Sequence, residues 1–130
     1  MKKLIATLAV MSLLAALAIA ASTALGSDGA STSATKTIRV DDDVFARGSN
    51  EFNPGEKYRV AKGTKLVFRW VGTNTHNVTG VRKGREVFAS RDTDETGFRY
   101  PQRGGKRFRR DTTIFCSVHP STMRFRVDVR

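Results

Sequence analysis

The chain has 130 residues, and its 23 lysines and arginines against 12 aspartates and glutamates give it a formal net charge of +11 at pH 7. This length is enough for one compact domain with a single core but not for two. A single cysteine excludes an internal disulfide. The basic balance would suit nucleic acid, but the chain carries no nucleic-acid-binding motif.

Residues 1–26 have the order of a secretory signal peptide. Lys2 and Lys3 give a basic start, an apolar run extends from Leu4 to Ala20, and small residues follow. The pattern predicts an exported protein, located in the periplasm, outside the cell or on the outer face of the cytoplasmic membrane. An uncleaved membrane anchor is the alternative, because the run approaches the roughly 20 apolar residues that span a bilayer.

Residues 27–35 read SDGASTSAT and are typical of a flexible linker, because they offer nothing to bury. From residue 36 to residue 130, short alternating runs of β-branched and aromatic residues are separated by turn signals. In one of them, KLVFRWV, the side chains of Leu66, Phe68 and Trp70 share a face. No window after the signal has a helical period, so this domain is predicted to be an all-β, antiparallel sandwich or barrel.

The segment FCSVHPSTM, residues 115–123, gathers Cys116, His119 and Met123 in one short loop. Together with His76, these are the whole cysteine, histidine and methionine content of the chain beyond its signal segment. Most isolated histidines and methionines are simply packed or solvated. Four scarce residues, three of them in one loop, instead indicate a shared chemical role.

Period-two alternation predicts where these side chains point. Cys116 shares a strand face with Ile114, and Met123 begins the apolar face of the last strand. His76 shares a side with Val78. We therefore expect His76 to face inward and to meet a C-terminal loop that supplies the other three groups.

The four side chains form a donor set suited to copper. Thiolate and thioether are soft ligands, and one thiolate with two imidazoles and a weak axial thioether is the blue-copper arrangement. Zinc more often recruits two or more cysteines, or carboxylates with a water. A cysteine nucleophile activated by His119 would leave His76 and Met123 without a role.

The run Cys-x-x-His-Pro-x-x-Met, residues 116–123, and the upstream His-Asn-Val, residues 76–78, resemble the cupredoxin family of type 1 blue copper proteins, which includes plastocyanin, pseudoazurin and amicyanin. The resemblance extends from about residue 37 to residue 129. It implies a Greek-key β-sandwich that binds one type 1 copper ion, the implied ligands being His76, Cys116, His119 and Met123. It also implies that Asn77 and Ser117 form hydrogen bonds between the two ligand loops and hold the cysteine in place.

The resemblance implies a carrier of single electrons between redox partners, not an enzyme. A copper oxidase or nitrite reductase needs a further histidine-rich copper site, and the chain has no histidine left to build one. Copper delivery or storage with the same ligands is the alternative. The spacing of His119 and Met123 lies between that of amicyanin and that of plastocyanin, and no glycine follows the methionine.

Removing Lys2 and Lys3 leaves 21 basic against 12 acidic residues, a net charge of +9. Arg82, Lys83 and Arg85 follow His76 in a polar segment that we expect to be a surface loop. This differs from plant plastocyanin, which has an acidic patch there. The chain is therefore predicted to meet an acidic redox protein, or an anionic membrane surface, through this loop. It is also predicted to be a monomer. A generally solvated basic surface is the alternative.

Overall fold

The computed structural model describes residues 34–130; the predicted signal peptide and most of the predicted linker lie outside the described residues. Residues 34–130 form strands and turns, and they contain no helix that is long and apolar enough to span a membrane. The strands are β1 (Thr35–Asp41), β2 (Val44–Arg47), β3 (Asn50–Glu51), β4 (Glu56–Val60), β5 (Lys65–Trp70), β6 (Thr79–Arg82), β7 (Arg85–Ala89), β8 (Arg99–Tyr100), β9 (Lys106–Arg107), β10 (Thr112–Phe115) and β11 (Arg124–Val129).

The strands form two sheets around a common core. The first sheet has the order β3-β2-β1-β5-β8, with β9 also paired to β5, and the second has the order β4-β11-β10-β6-β7. The all-β sandwich predicted from the sequence is confirmed. The expected purely antiparallel pairing is not observed: both sheets are mixed, because β1 runs parallel to β5 and β11 runs parallel to β4. Parallel neighbours need a crossover connection instead of a hairpin, and strand patterns do not reveal such pairing.

The core is built from the alternating faces of these strands. In β5, Leu66, Phe68 and Trp70 are fully buried, as predicted. Val67, on the opposite face, is buried as well. Gly105, ahead of β9, packs against it, and a Cβ added there would lie 3.4 Å from the Val67 side chain. The sheets are joined through aromatic contacts, among them Phe45 with Phe125.

Residues 82–85 form the tight turn that joins β6 to β7 in a β-hairpin. The sequence predicted a surface loop here, whereas Arg82 and Arg85 belong to the two strands. Lys83 and Gly84 form its turn with φ angles of 49° and 74°, the left-handed conformation that two-residue hairpin turns require. At its other end β6 begins with Thr79, which pairs with Phe115, the residue before Cys116. The hairpin tip therefore lies at the end of the strand pair away from Cys116.

Candidate metal centre

The C-terminal loop begins where β10 ends and finishes where β11 begins. Cys116 directly follows β10 and Met123 directly precedes β11. The Cys116 N–H donates to the Met123 carbonyl at 2.9 Å, and the Met123 N–H donates to the His119 carbonyl at 3.0 Å. These backbone bonds close the loop on itself, so the positions of its three candidate ligands depend on one another.

His76 lies on the connection between β5 and β6 and is fixed by its own backbone. Its N–H donates to the Thr93 carbonyl and its carbonyl accepts from the Thr93 N–H, both at 3.0 Å. The buried indole of Trp70 donates to the same Thr93 carbonyl at 3.1 Å. The histidine is therefore held by the loop that follows β7, a contact that the sequence did not predict.

The structure brings the sulfur and the two imidazoles together. Nδ1 of His76 lies 3.8 Å from Sγ of Cys116 and 3.2 Å from Nδ1 of His119. The three donor atoms all lie within 4.8 Å of one another. Cys116 and His76 are fully buried, whereas the His119 side chain is 33% exposed.

These separations match one shared metal ion. With metal–nitrogen bonds of about 2.0 Å and a metal–sulfur bond of about 2.3 Å, they correspond to a nitrogen–metal–sulfur angle of roughly 120° and a nitrogen–metal–nitrogen angle of roughly 105°. Such angles lie in the trigonal to tetrahedral range. One thiolate with two imidazoles in this arrangement fits a type 1 copper ion. Met123 is fully buried at the end of the same loop, and its thioether would complete the donor set of such an ion.

Asn77 links the two ligand segments through its side-chain amide. Its Oδ1 accepts the Ser117 N–H at 2.8 Å, and its Nδ2 donates to the Ser117 hydroxyl and, at 2.6 Å, to Oδ1 of Asp92. The Asn77 backbone N–H points at Sγ of Cys116, 3.4 Å away. The hydrogen bonds expected of Asn77 and Ser117 are present, and Asp92 is a third member that the sequence did not indicate.

The acidic turn between β1 and β2 borders the centre, a position that the sequence did not predict. Oδ1 of Asp42 accepts the N–H groups of Thr73 at 2.7 Å and Asn74 at 2.8 Å, just ahead of His76. These hydrogen bonds, that of Asn74 first, hold the pKa of Asp42 below its usual value of 3.8. The turn is thereby attached to the segment that carries the first histidine.

Asp43, the next residue of this turn, contacts both imidazoles. Its backbone nitrogen lies 3.3 Å from Nε2 of His76, and its Oδ1 lies 3.3 Å from Nε2 of His119. Both histidines therefore use Nε2 toward the acidic turn and leave Nδ1 facing the sulfur. Carboxylates that bind the outer nitrogen of a ligand histidine orient its ring and raise its basicity.

The pKa of His76 lies below its ordinary value of 6.5. Burial is the main cause, followed by the charge of His119, and the nearby carboxylates of Asp43 and Asp42 oppose the shift. The imidazole is therefore neutral near pH 7. Neutral imidazole is the form that binds metals, so burial keeps His76 ready for a ligand role.

Three solved structures share this architecture. A purple cupredoxin from Nitrosopumilus maritimus is 17% identical, with a TM-score of 0.50, covering 73% of this chain and 99% of its own. Reduced auracyanin from Roseiflexus castenholzii is 12% identical, with a TM-score of 0.51 and coverages of 75% and 98%. A Cu(I) amicyanin variant is 15% identical, with a TM-score of 0.50 and coverages of 74% and 82%.

No protein-family model matches the chain, and no curated protein sequence matches it significantly. Because the three solved structures are only 12–17% identical to this chain, their similarity shows the fold alone. It confirms the expected architecture around a donor set that suits type 1 copper. Residues 34–130 have the fold of the cupredoxins.

Proposed function

We propose that the protein is an exported carrier of single electrons that binds one copper ion through His76, Cys116, His119 and Met123. The observation that supports this most directly is the convergence of one sulfur and two imidazole nitrogens at 3.8 Å and 3.2 Å. When bound there, copper would supply one-electron exchange between Cu(II) and Cu(I).

The protein residues keep the donor atoms in one arrangement for both oxidation states. Asn77 ties the His76 segment to Ser117, next to Cys116, and the C-terminal loop is closed by its own backbone bonds. Donors held in this way move little when the charge at the centre changes. The Asn77 N–H stabilises the thiolate of Cys116, and burial excludes water from the sulfur and from His76.

His119 provides the route to the surface. Its side chain is 33% exposed, whereas the other three proposed ligands are buried. The neighbouring Val118 is an exposed large apolar residue. A redox partner that packs against this end would lie against an imidazole bonded to the metal, and electrons would enter and leave there.

A delivery or storage protein needs a site that exchanges its metal readily. Burial of Cys116, His76 and Met123 opposes such exchange, which favours the electron carrier. The whole chain has two histidines, so the proposed centre uses all of them and leaves none for a second, catalytic copper site. The predicted signal peptide, residues 1–26, supports export.

The test is copper reconstitution of the purified protein, followed by a visible spectrum and a redox titration. We expect an intense thiolate-to-copper absorption band that bleaches reversibly with one electron. The zinc-loaded protein and the copper-treated Cys116→Ser variant should both be colourless, since zinc has no redox chemistry and a hydroxyl cannot replace the soft sulfur. Release of copper on reduction would favour delivery, and a Cys116→Ser variant that stayed blue would overturn the site.

A further inference from the structure

A basic groove of about 890 Å³ lies along the second sheet, at the end away from the metal centre. It is lined by the β6–β7 hairpin, the residues around the start of β10, and β11. Its charged residues are Arg82, Lys83, Arg85, Arg110, Asp111 and Arg126. The sequence predicted the first three as a partner surface, and the fold places the others beside them. We call this feature the basic groove.

The charge of the basic groove is concentrated and mostly unpaired. Five basic side chains against one carboxylate give it a net charge of +4. Arg126 pairs with Asp111 at 2.8 Å. Within residues 34–130, no carboxylate forms an ion pair with the other four basic groups. Like charges held this close repel one another, and a bound anion relieves that repulsion.

Two of the arginines are held in defined positions. Nε of Arg82 donates to the hydroxyl of Thr112 at 2.8 Å, and that buried hydroxyl donates to the Arg110 carbonyl at 3.0 Å. Arg126 is held by Asp111, whose second oxygen accepts the Val129 N–H at 2.9 Å. A site whose side chains are already ordered loses less conformational entropy when it binds.

We propose that the basic groove binds an acidic segment of a protein partner. Its shape and composition favour this occupant over an anionic membrane or a polyphosphate. A flat bilayer surface would touch only the rim of a concave site. Val81 and the 41% exposed Val87 line the groove beside the arginines, and arginine combined with apolar surface is typical of protein interfaces.

The carboxylate of Asp111 adds discrimination. It lines the basic groove, and although Arg126 pairs with it, its 42% exposed side chain remains unfavourable for a ligand that is negative along its whole length, such as a phosphate chain. A peptide segment can place a hydrogen-bond donor against it while its acidic side chains meet the arginines. An interface that contains both attractive and repulsive charges selects its partner through the difference.

The basic groove is separate from the proposed electron route. Thr113, which lines it, precedes Cys116 by three residues along β10, or about 10 Å at roughly 3.3 Å per residue. None of the four proposed ligands lines the groove. A partner segment bound here leaves His119 accessible, and the binding does not depend on the presence of copper.

The test measures binding of a short fluorescent peptide in which glutamate alternates with valine and serine. Inorganic triphosphate and phosphatidylserine-containing vesicles are the competing probes, and each is measured with and without copper. The groove variant is Lys83→Glu/Arg85→Glu/Arg110→Glu. The matched control, with the same change of charge at exposed residues elsewhere, is Lys62→Glu/Arg103→Glu/Arg107→Glu.

We expect the peptide to bind equally with and without copper, and its affinity to fall steeply with salt. The groove variant should lose at least about tenfold in affinity, whereas the control should lose only a few-fold through its lower net charge. Equal losses in the two variants would overturn the proposal. So would vesicle or triphosphate binding that is stronger than peptide binding and is abolished in the groove variant. Failure of the blue-copper test would leave this binding result unchanged.

Discussion

The carboxylate of Asp43 lies 3.3 Å from Nε2 of His119, on the opposite side of the ring from the Nδ1 that faces His76. Asp43 is 59% exposed and belongs to the β1–β2 turn, far in sequence from the loop it contacts. It places a negative charge behind the most exposed of the proposed ligands. An anion at this position favours Cu(II) over Cu(I), since the oxidised centre carries the greater positive charge.

Asp43→Asn should therefore raise the reduction potential of the copper-loaded protein. The change should be on the order of tens of millivolts, because an exposed charge is strongly screened by water. Asparagine suits this position, because residue 43 has a φ of 62° and asparagine tolerates the left-handed conformation. A redox titration gives the potential, and nitrogen NMR of the metal-free protein reports which nitrogen of His119 carries the proton.

Glu51→Gln is the matched control, since it removes one exposed carboxylate from β3, a strand outside the centre. It should leave both readouts nearly unchanged. An Asp43→Asn protein with the potential and the His119 signals of the unmodified protein would show that the contact has no influence on the centre.

Met123→Gln should keep the blue colour and lower the potential. An amide oxygen is a harder axial ligand than a thioether and favours Cu(II). The visible spectrum and a redox titration provide the measurement, with Met123→Leu as the companion variant that removes the axial donor and keeps an apolar side chain. If the glutamine and leucine variants both retain the original potential, Met123 serves only as part of the core.

Asn77→Ala should loosen the connection between the two ligand segments. It removes the buried Asn77 amide and leaves its partners, among them the Ser117 N–H, without this hydrogen bond. The free energy of unfolding should fall by about 1–3 kcal/mol, as measured by urea denaturation of the metal-free protein. The absorption band of the copper form should also broaden, because Cys116 becomes less well positioned.

Asn74→Ala is the control for this change. Asn74 is exposed on the segment ahead of His76, and the hydrogen bond it makes to Asp42 uses its backbone N–H. Its replacement should change the unfolding free energy by only a few tenths of a kcal/mol. An equal loss of unfolding free energy in both variants would show that the Asn77 amide does not link the two ligand segments.

The metal-free protein should lose stability as the pH falls below 6.5. The pKa of His76 is lowered in the folded state, so the unfolded chain binds the proton more readily and acid favours unfolding. The contribution of neutral His76 to the free energy of unfolding is fully present above the unfolded pKa of about 6.5. It declines below that pH, by at most about 1.4 kcal/mol per pH unit for one proton. Urea denaturation at pH 7 and pH 5.5 gives the slope.

The His76→Asn variant is expected to have a flatter pH profile over the same interval. Asp42 and Asp111, whose pKa values lie below 3.8, titrate in more acidic solution and do not affect this range. An unchanged slope in the variant would assign the acid sensitivity to another group.

Local spacing in the sequence was enough to predict the strands and the ligand loop. Period-two alternation placed Leu66, Phe68 and Trp70 in the core, because strand faces follow from neighbouring residues alone. Cys116, His119 and Met123 could be grouped because they lie within eight positions of one another. The inward direction of Cys116 and Met123 followed from the same alternation, and the donor chemistry then indicated copper.

The tertiary structure decided the contacts between residues that are distant along the chain. Asp43 reaches His119 only because the β1–β2 turn and the C-terminal loop meet at one end of the sandwich. Asp92 reaches Asn77 because their segments flank the paired strands β6 and β7. The parallel pairing of β1 with β5 depends likewise on a crossover that no local pattern records. Arg110 and Arg126 join the hairpin arginines because β10 lies between β6 and β11 in the second sheet. Alternation sets which face a side chain takes, but strand order in space is set by burial of the whole core.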